Sequence, residues 1–300
     1  MQELRARTGR TRGGLPVSVN VPPPPDLEPH VARFFVTIID QPDDQTVEDM
    51  LLNETAMVRV MVRGEYEAWA PTRGWRKHEG AILFGAQRRG LRVRATGPIA
   101  TAGFAIRPGG WFGLEPRGAD KLADRLERLG GEWGASLEAA ARDIDDHALT
   151  VARLAQAARV RVAELDGPVD PTMDAFEALA HADPTIAVAA AADRLGLEPR
   201  TFERRVLRHF GHLPKLVLRR ARFLDMAAVM RGLAVFDEEE AARLRFYDAS
   251  HLNKEFRLFA GMTPAAFERA RTPLLTPGLE VRQQRKLRAR GAAGPAPWAE

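Results

Sequence analysis

The chain has no cysteine, so disulfides, thiolate nucleophiles and thiolate-held metals drop out together. Serine is scarce: Ser18, Ser136 and Ser250 are the full set, and none sits in the Gly-x-Ser-x-Gly turn of a hydrolase nucleophile. No glycine-rich stretch ends in Gly-Lys-Ser or Gly-Lys-Thr, which removes the usual nucleotide phosphate loop. Long apolar runs are missing too. Ile186 to Ala192 stops at Asp193, far short of the ~20 residues that span a bilayer. Met1 to Arg12 is basic but leads into Gly13-Gly14 and Pro22 to Pro25 instead of an apolar core, so no export signal is read and a cytoplasmic protein without membrane association is expected. A metal-bearing barrel needs imidazoles and a carboxylate that converge. In the front half His30, His78 and His147 are far apart, and only His78-Glu79 adjoin. No catalytic residue, metal or cofactor is assigned, and the chain does not read as an enzyme.

What is present is clustered positive charge. Lys and Arg total 44 against 40 acids, a formal charge of only +4, yet the isoelectric point lies near 9.8 and suits an acidic polymer as partner. From Glu198 to Arg222 the bases are Arg200, Arg204, Arg205, Arg208, Lys215, Arg219, Arg220 and Arg222, against Glu198 and Glu203 alone. A basic stripe is ordinarily a solvated helix face. Here the interspersed acids are nearly gone, and Arg and Lys neutralise phosphates while Arg also bonds guanine edges in two places.

The same stretch is half of an internal repeat. Fifty positions forward, Phe202 meets Leu252, Arg204 meets Lys254, Val206 meets Phe256, Gly211 meets Gly261 and Pro214 meets Pro264, while upstream of the turn the offset is one less and Leu195 meets Leu244. Each copy reads as a short alanine-bearing helix, a turn, an acidic N-cap candidate (Glu198, Asp248), a longer helix, and a stop at glycine then proline. That is a helix-turn-helix. In the first longer helix, about 199–210, Phe202, Val206 and Phe210 recur every four residues and face a core, leaving Arg200, Thr201, Arg204, Arg205 and Arg208 outside. In the second, about 249–259, Leu252, Phe256 and Phe259 take the buried side and Ala249, Ser250, Asn253, Lys254 and Arg257 the exposed one. His209 and His212 flank the end of the first helix, where a partly charged imidazole would favour the dipole.

The run Leu244 to Pro264, with Phe246, Asp248, Ser250-His251-Leu252, Lys254, Phe256, Gly261 and Thr263-Pro264, resembles the signature of the AraC/XylS transcription regulators, and Gly196 through Arg222 resembles that family's first motif and linker helix. The resemblance covers about Asp170 to Arg271. It implies two helix-turn-helix units joined by one connecting helix, about Pro214 to Arg231, with recognition helices in successive major grooves. Carried over, the base-facing candidates are Arg200, Thr201, Glu203 and Arg204, then Ala249, Ser250, Asn253 and Lys254. Phosphate candidates are Arg205, Arg208, Lys215, Arg219 and Arg257. Departures fall in the second unit: Arg245 where glycine is usual, Ala249 where glutamine is frequent, and an acidic Asp237-Glu238-Glu239-Glu240 start to its first helix.

The front reads differently. After the proline run, strands are expected at Val31 to Ile39, Met57 to Arg63, Glu65 to Ala70, Leu91 to Ala95 and Ile99 to Ile106, with turns at Gly64, Pro71, Gly74, Gly80, Gly90 and Gly97. Helices are expected over Ala119 to Leu129 and Leu137 to Leu165. The fold class is α+β and multidomain: a disordered lead-in (1–25), a β-rich barrel-like or sheet domain with following helices (26–165), a tandem helix-turn-helix domain (171–272) and a basic tail (273–300). The break lies at Asp166-Gly167-Pro168 to Asp170-Pro171. AraC-type regulators commonly carry a β-rich sensing domain in front, and Arg107-Pro108-Gly109-Gly110 resembles a feature of some of them. Trp69, Phe84, Phe104, Trp111 and Phe112 are candidates for a ligand pocket, with core packing as the alternative for each. The tail bases Arg282, Arg285, Lys286, Arg288 and Arg290 offer phosphate attraction or plain solvation.

The function expected is sequence-specific DNA binding by a cytoplasmic, nucleoid-associated transcription regulator. Double-stranded DNA is the partner, with RNA polymerase, a homodimer mate and an unidentified small effector left open. The alternative is a ligand-binding or enzymatic barrel whose tail domain has lost DNA reading.

Overall fold

The computed structural model describes residues 4–5, 17–233 and 249–289. Among these, nine strands form one antiparallel sheet: β1 (Leu4–Arg5), β2 (Val17–Val21), β3 (Val31–Ile39), β4 (Thr46–Leu51), β5 (Met57–Ala70), β6 (Gly74–Lys77), β7 (Gly80–Phe84), β8 (Leu91–Ile106) and β9 (Leu126–Arg128). The order is β1-β2-β3-β8-β5-β7-β9, with β4 also on β8 and β6 also on β5. The end strands do not pair with each other, so the sheet is open and not a closed barrel.

Two long strands form its spine. Glycines 64 and 97, which read as turns, lie inside β5 and β8 at φ 81° and 77°. The β5–β8 register shifts beside Gly64, between Met61 and Arg63 and again before Glu65. A positive-φ glycine within a paired strand bends it without ending it, so four expected strands are two. Residues 17–25 hold β2 and a turn, where a disordered lead-in was expected.

Both faces of the sheet are buried, which is why β3 reads as a nearly continuous apolar run. One face carries Phe34, Val36, Val58, Val60, Leu83 and Phe104 against two helices, α1 (Gly131–Ala140) and α2 (His147–Leu165). The single long helix expected here is broken before Asp146, whose carboxylate caps α2 by accepting from the Leu149 amide at 3.0 Å. The other face carries Phe35, Met57, Tyr66, Phe84 and Ala105 and is covered in part by Leu274 from the C-terminal end of the chain. The helix expected at Ala119 to Leu129 is instead one 3-10 turn, Ala119–Lys121, then Asp124 at φ 60° and strand β9. The leucine spacing there serves two purposes: Leu122 and Leu129 enter the core, and Leu126 pairs with Phe84 at the edge of the sheet.

Gly103 of β8 lies against the backbone of β5 at Val58. A Cβ there would overlap the Val58 carbonyl oxygen. Gly103→Ala is therefore expected to cost about 3 kcal/mol, the upper end for over-packing, as a lowered urea midpoint with an unchanged slope.

The remaining helices are α3 (Pro171–Ala182), α4 (Val188–Arg194), α5 (Pro199–Phe210), α6 (Pro214–Met230), α7 (Ala249–Phe259), α8 (Pro264–Arg269) and α9 (Thr276–Ala289). Asp166 takes a left-handed conformation at φ 42°, and Asp170 caps α3 through the Thr172 amide at 3.0 Å. Gly211 and Gly261 close α5 and the turn after α7 at φ 78° and 70°, values that favour glycine.

Candidate nucleic-acid interface

Helices α4 and α5 form one helix-turn-helix. Phe202, Val206 and Phe210 of α5 are buried as their spacing predicts, and Phe202 and Phe210 set their rings edge-on to Phe176 at 5.0 and 5.3 Å. Pro199 opens the helix, and Glu198 makes no side-chain cap bond.

Helix α6 serves both units at once. Val217 and Leu218 belong to the core of the first unit, while Phe223, Leu224, Met226 and Ala227 belong to that of the second, where Phe223 meets Phe256 at 5.0 Å and Phe259 at 5.2 Å. One rigid helix shared by two cores fixes the spacing between α5 and α7. Arg219 reinforces it with three bonds to the buried Glu255, the shortest 2.6 Å. These bonds occupy part of the guanidinium of Arg219, one of the expected phosphate contacts.

The outer face of α5 divides along its length. In its first turns Arg200, Glu203 and Arg204 are exposed and Thr201 is half-buried. Helix N-terminal residues are the ones that reach base edges in this motif. The C-terminal half is instead covered by other parts of the chain: Arg205 lies 3.6 Å from Asp170 at the start of α3, and toward the sheet domain Arg208 stacks over Phe112 at 5.1 Å and His209 Nδ1 bonds the Pro108 carbonyl at 2.7 Å. On α7, Ser250, Asn253, Lys254 and Arg257 are exposed, as is Lys215 at the start of α6. The Ala249 side chain, the Arg245 turn, Asp248 and the Asp237 to Glu240 run lie outside what the structure describes.

Burial pushes the His209 and His212 imidazoles below their ordinary value. Burial thus works against the charged imidazole that the expected helix-dipole role calls for. His212 lies 3.5 Å from Asp124, whose carboxyl is held down at about 2 despite burial by its bonds to His212 and Arg88. A histidine depressed in the folded state adds stability above the unfolded value near 6.5 and loses it as pH falls through the folded value. The urea midpoint is therefore expected to drop from pH 7.5 to 5.5, and to drop less in His212→Asn. The paired comparison separates His212 from Asp49, whose carboxyl is pushed up to about 6 by burial and works in the opposite sense.

The tail is structural among its described residues. Arg282 bonds Glu54 at 2.9 Å and also Asp225, and Lys286 bonds Asp225 at 3.2 Å; all four are partly or fully buried. Arg282 and Lys286 thus hold α9 against α6 and the sheet, and neither is offered to phosphate. Arg290 and the residues after it lie outside the description.

The aromatic candidates form no pocket together. Phe104 packs on Phe34 at 5.6 Å, Trp111 donates its indole N–H to the Arg117 carbonyl at 2.6 Å, and Phe84 packs on Tyr66 at 6.2 Å. Trp69 pairs with Trp75 at 5.5 Å under the Arg92 guanidinium, and Phe112 faces His209. With both sheet faces buried, aromatic bulk marks packing. A cavity of about 130 Å³ lies elsewhere, between the second sheet face and α9, and its aromatics are Phe35 and Tyr66. The missed signal was a pair of arginines, Arg33 and Arg59, set among apolar neighbours in β3 and in the first half of β5.

Residues 191–270 match a family model described as a helix-turn-helix domain. No curated protein matches the chain in sequence. Among solved structures, the chain is similar to unsaturated fatty acid-bound ToxT from Vibrio cholerae, at 12% identity over 81% of this chain and 97% of that one, with a TM-score of 0.46. It is similar to the AraC-like transcriptional activator CuxR at 9% identity over 81% and 98% of the two chains, TM-score 0.31. A shorter match is GK1651 from Geobacillus kaustophilus, at 11% identity over 35% and 43%, TM-score 0.23.

Proposed function

We propose that this chain, whose residues 191–270 match a family model described as a helix-turn-helix domain, is a sequence-specific DNA-binding transcription regulator of the AraC type, tuned by a small effector held in its sheet domain. The observation that carries the reading is the open first half of α5, with Arg200 and Arg204 exposed on a helix whose apolar side is fully packed. Those two arginines and Thr201 read base edges, and Glu203 accepts from cytosine amino groups. Lys215, Arg208 and Arg257 set the pose on phosphates. Ser250, Asn253 and Lys254 give α7 a smaller, polar reading surface, with Ala249 supplying methyl contact only.

Affinity for duplex DNA is expected to fall steeply with salt, because each phosphate contact releases counterions. Fluorescence anisotropy with a labelled duplex across a salt series tests this. Binding too weak to measure at low salt, or a flat salt response, would count against it.

A further inference from the structure

The cavity between the sheet and α9 is built of unpaired donors on one wall and apolar side chains around it. β8 lies between β3 and β5, and its residues set the register: Ala105 is opposite both Arg33 and Met57, Gly103 opposite both Phe35 and Arg59, and Thr101 opposite both Thr37 and Met61. Arg33 and Arg59 thus stand on strands either side of β8, one rung apart, and the residues between them are Ala105 and Gly103. Small residues there leave the space that the two long side chains line.

Neither arginine has a carboxylate partner among the described residues. Arg33 donates Nε to Asn20 at 3.1 Å, and Arg59 donates to the Met57 sulfur at 3.8 Å and lies over the Phe35 ring at 5.0 Å and the Phe84 ring at 5.8 Å. Glu54 is engaged by Arg282 at 2.9 Å, and Glu177 lies between Arg107 at 3.8 Å and Arg285 at 3.9 Å. Arg59 Nε, the Tyr66 hydroxyl and the Thr101 hydroxyl are enclosed and make no hydrogen bond. Tyr66 is 4% exposed and Thr101 2%, and both line the cavity. Leaving a buried donor unmet is costly, and two guanidiniums with two hydroxyls on one wall form a set that a single anion satisfies. Around them Phe35, Leu51, Met57, Ile99, Leu274 and Leu279 supply apolar surface.

We infer that this cavity binds a small monocarboxylate, its carboxylate held by Arg33 and Arg59 with the Tyr66 and Thr101 hydroxyls donating, and its apolar body against Phe35 and Leu279. Size limits the body. A cavity near ~150 Å³ takes benzene, so this one takes an aryl ring or a short alkyl chain and not a long acyl chain. Leu274, Leu275 and Leu279 follow the helix-turn-helix helices in the chain, so the occupant touches the sheet and the DNA-binding side together. The site rests on the proposed regulator for its purpose, but its ligand chemistry stands on this wall alone.

The test is isothermal titration calorimetry on the full chain with benzoate, hexanoate, dodecanoate, benzamide and inorganic phosphate. Saturable binding of benzoate or hexanoate at one site per chain is expected, with benzamide and dodecanoate at least about tenfold weaker. Arg59→Met should weaken the carboxylate by more than about tenfold, and Tyr66→Phe and Thr101→Val by a few-fold each, all three variants keeping the wild-type circular dichroism spectrum. The two hydroxyl deletions barely change shape, so they keep the test decisive if Arg59→Met misfolds. No saturable carboxylate binding, phosphate bound in preference, or binding indifferent to Tyr66→Phe and Thr101→Val would overturn the inference. DNA binding without carboxylate binding would refute this site and spare the regulator; carboxylate binding without DNA binding would do the reverse.

Discussion

Replacing Arg220 with alanine is expected to cost about 3–5 kcal/mol of stability, from two buried carbonyls left unmet and the cavity left by a large buried side chain. Arg220 is fully buried in α6, and burial pulls its guanidinium down to about 10. It donates to the Gln87 carbonyl at 2.6 Å and to the Glu54 carbonyl, both on loops of the sheet domain, and meets His212 Nδ1 at 3.3 Å. Alanine would strand two buried carbonyls and leave a cavity beside them. Lysine, with one compact ammionium in place of a planar fork, should recover only part of the loss. Urea unfolding followed by circular dichroism measures both. An Arg220→Ala midpoint within error of wild type would mean that the helix-turn-helix domain is not seated on the sheet through this residue.

The second large effect lies in DNA reading and separates two arginines one helical turn apart. Arg204 is exposed in the open half of α5, and Arg204→Ala is expected to reduce the preference for specific over random duplex by roughly 1–3 kcal/mol, the worth of one good base contact. Arg208 stacks over Phe112 at 5.1 Å with its outer side in solvent. Arg208→Ala should weaken specific and random binding alike and lower the salt slope by about one. Competition anisotropy at several salt concentrations distinguishes them. Equal changes in specificity from the two variants would show that the division of α5 into a reading half and a seated half is wrong.

Much of the C-terminal domain was legible because its signals are local. Phe202, Val206 and Phe210 announce their buried face by spacing, and Gly211, Pro214, Gly261 and Pro264 mark ends that the chain makes where expected. β3 was legible end to end for the same reason. Gly64 and Gly97 misled because a glycine at positive φ looks the same in sequence whether it turns a chain or bends a strand. Leu122, Leu126 and Leu129 misled because helical spacing also fits a turn followed by an edge strand.

Charge was the least legible feature, since its meaning depends on distant partners. Arg282 meets Glu54 from 228 positions away and Arg219 meets Glu255 from 36, so both read as free bases and are not. Arg33 and Arg59 show the converse. Nothing in the sequence links the two, and only the register across β8 brings them to one cavity.

The central claim is that the open half of α5 reads base sequence. In vitro selection from a random duplex library, run on the wild-type chain and on Arg204→Ala, tests it most directly. The account predicts an enriched motif for wild type and the loss of preference at one position, a guanine, in the variant, with the rest of the motif retained. An unenriched wild-type pool, or an identical motif from both proteins, would contradict it.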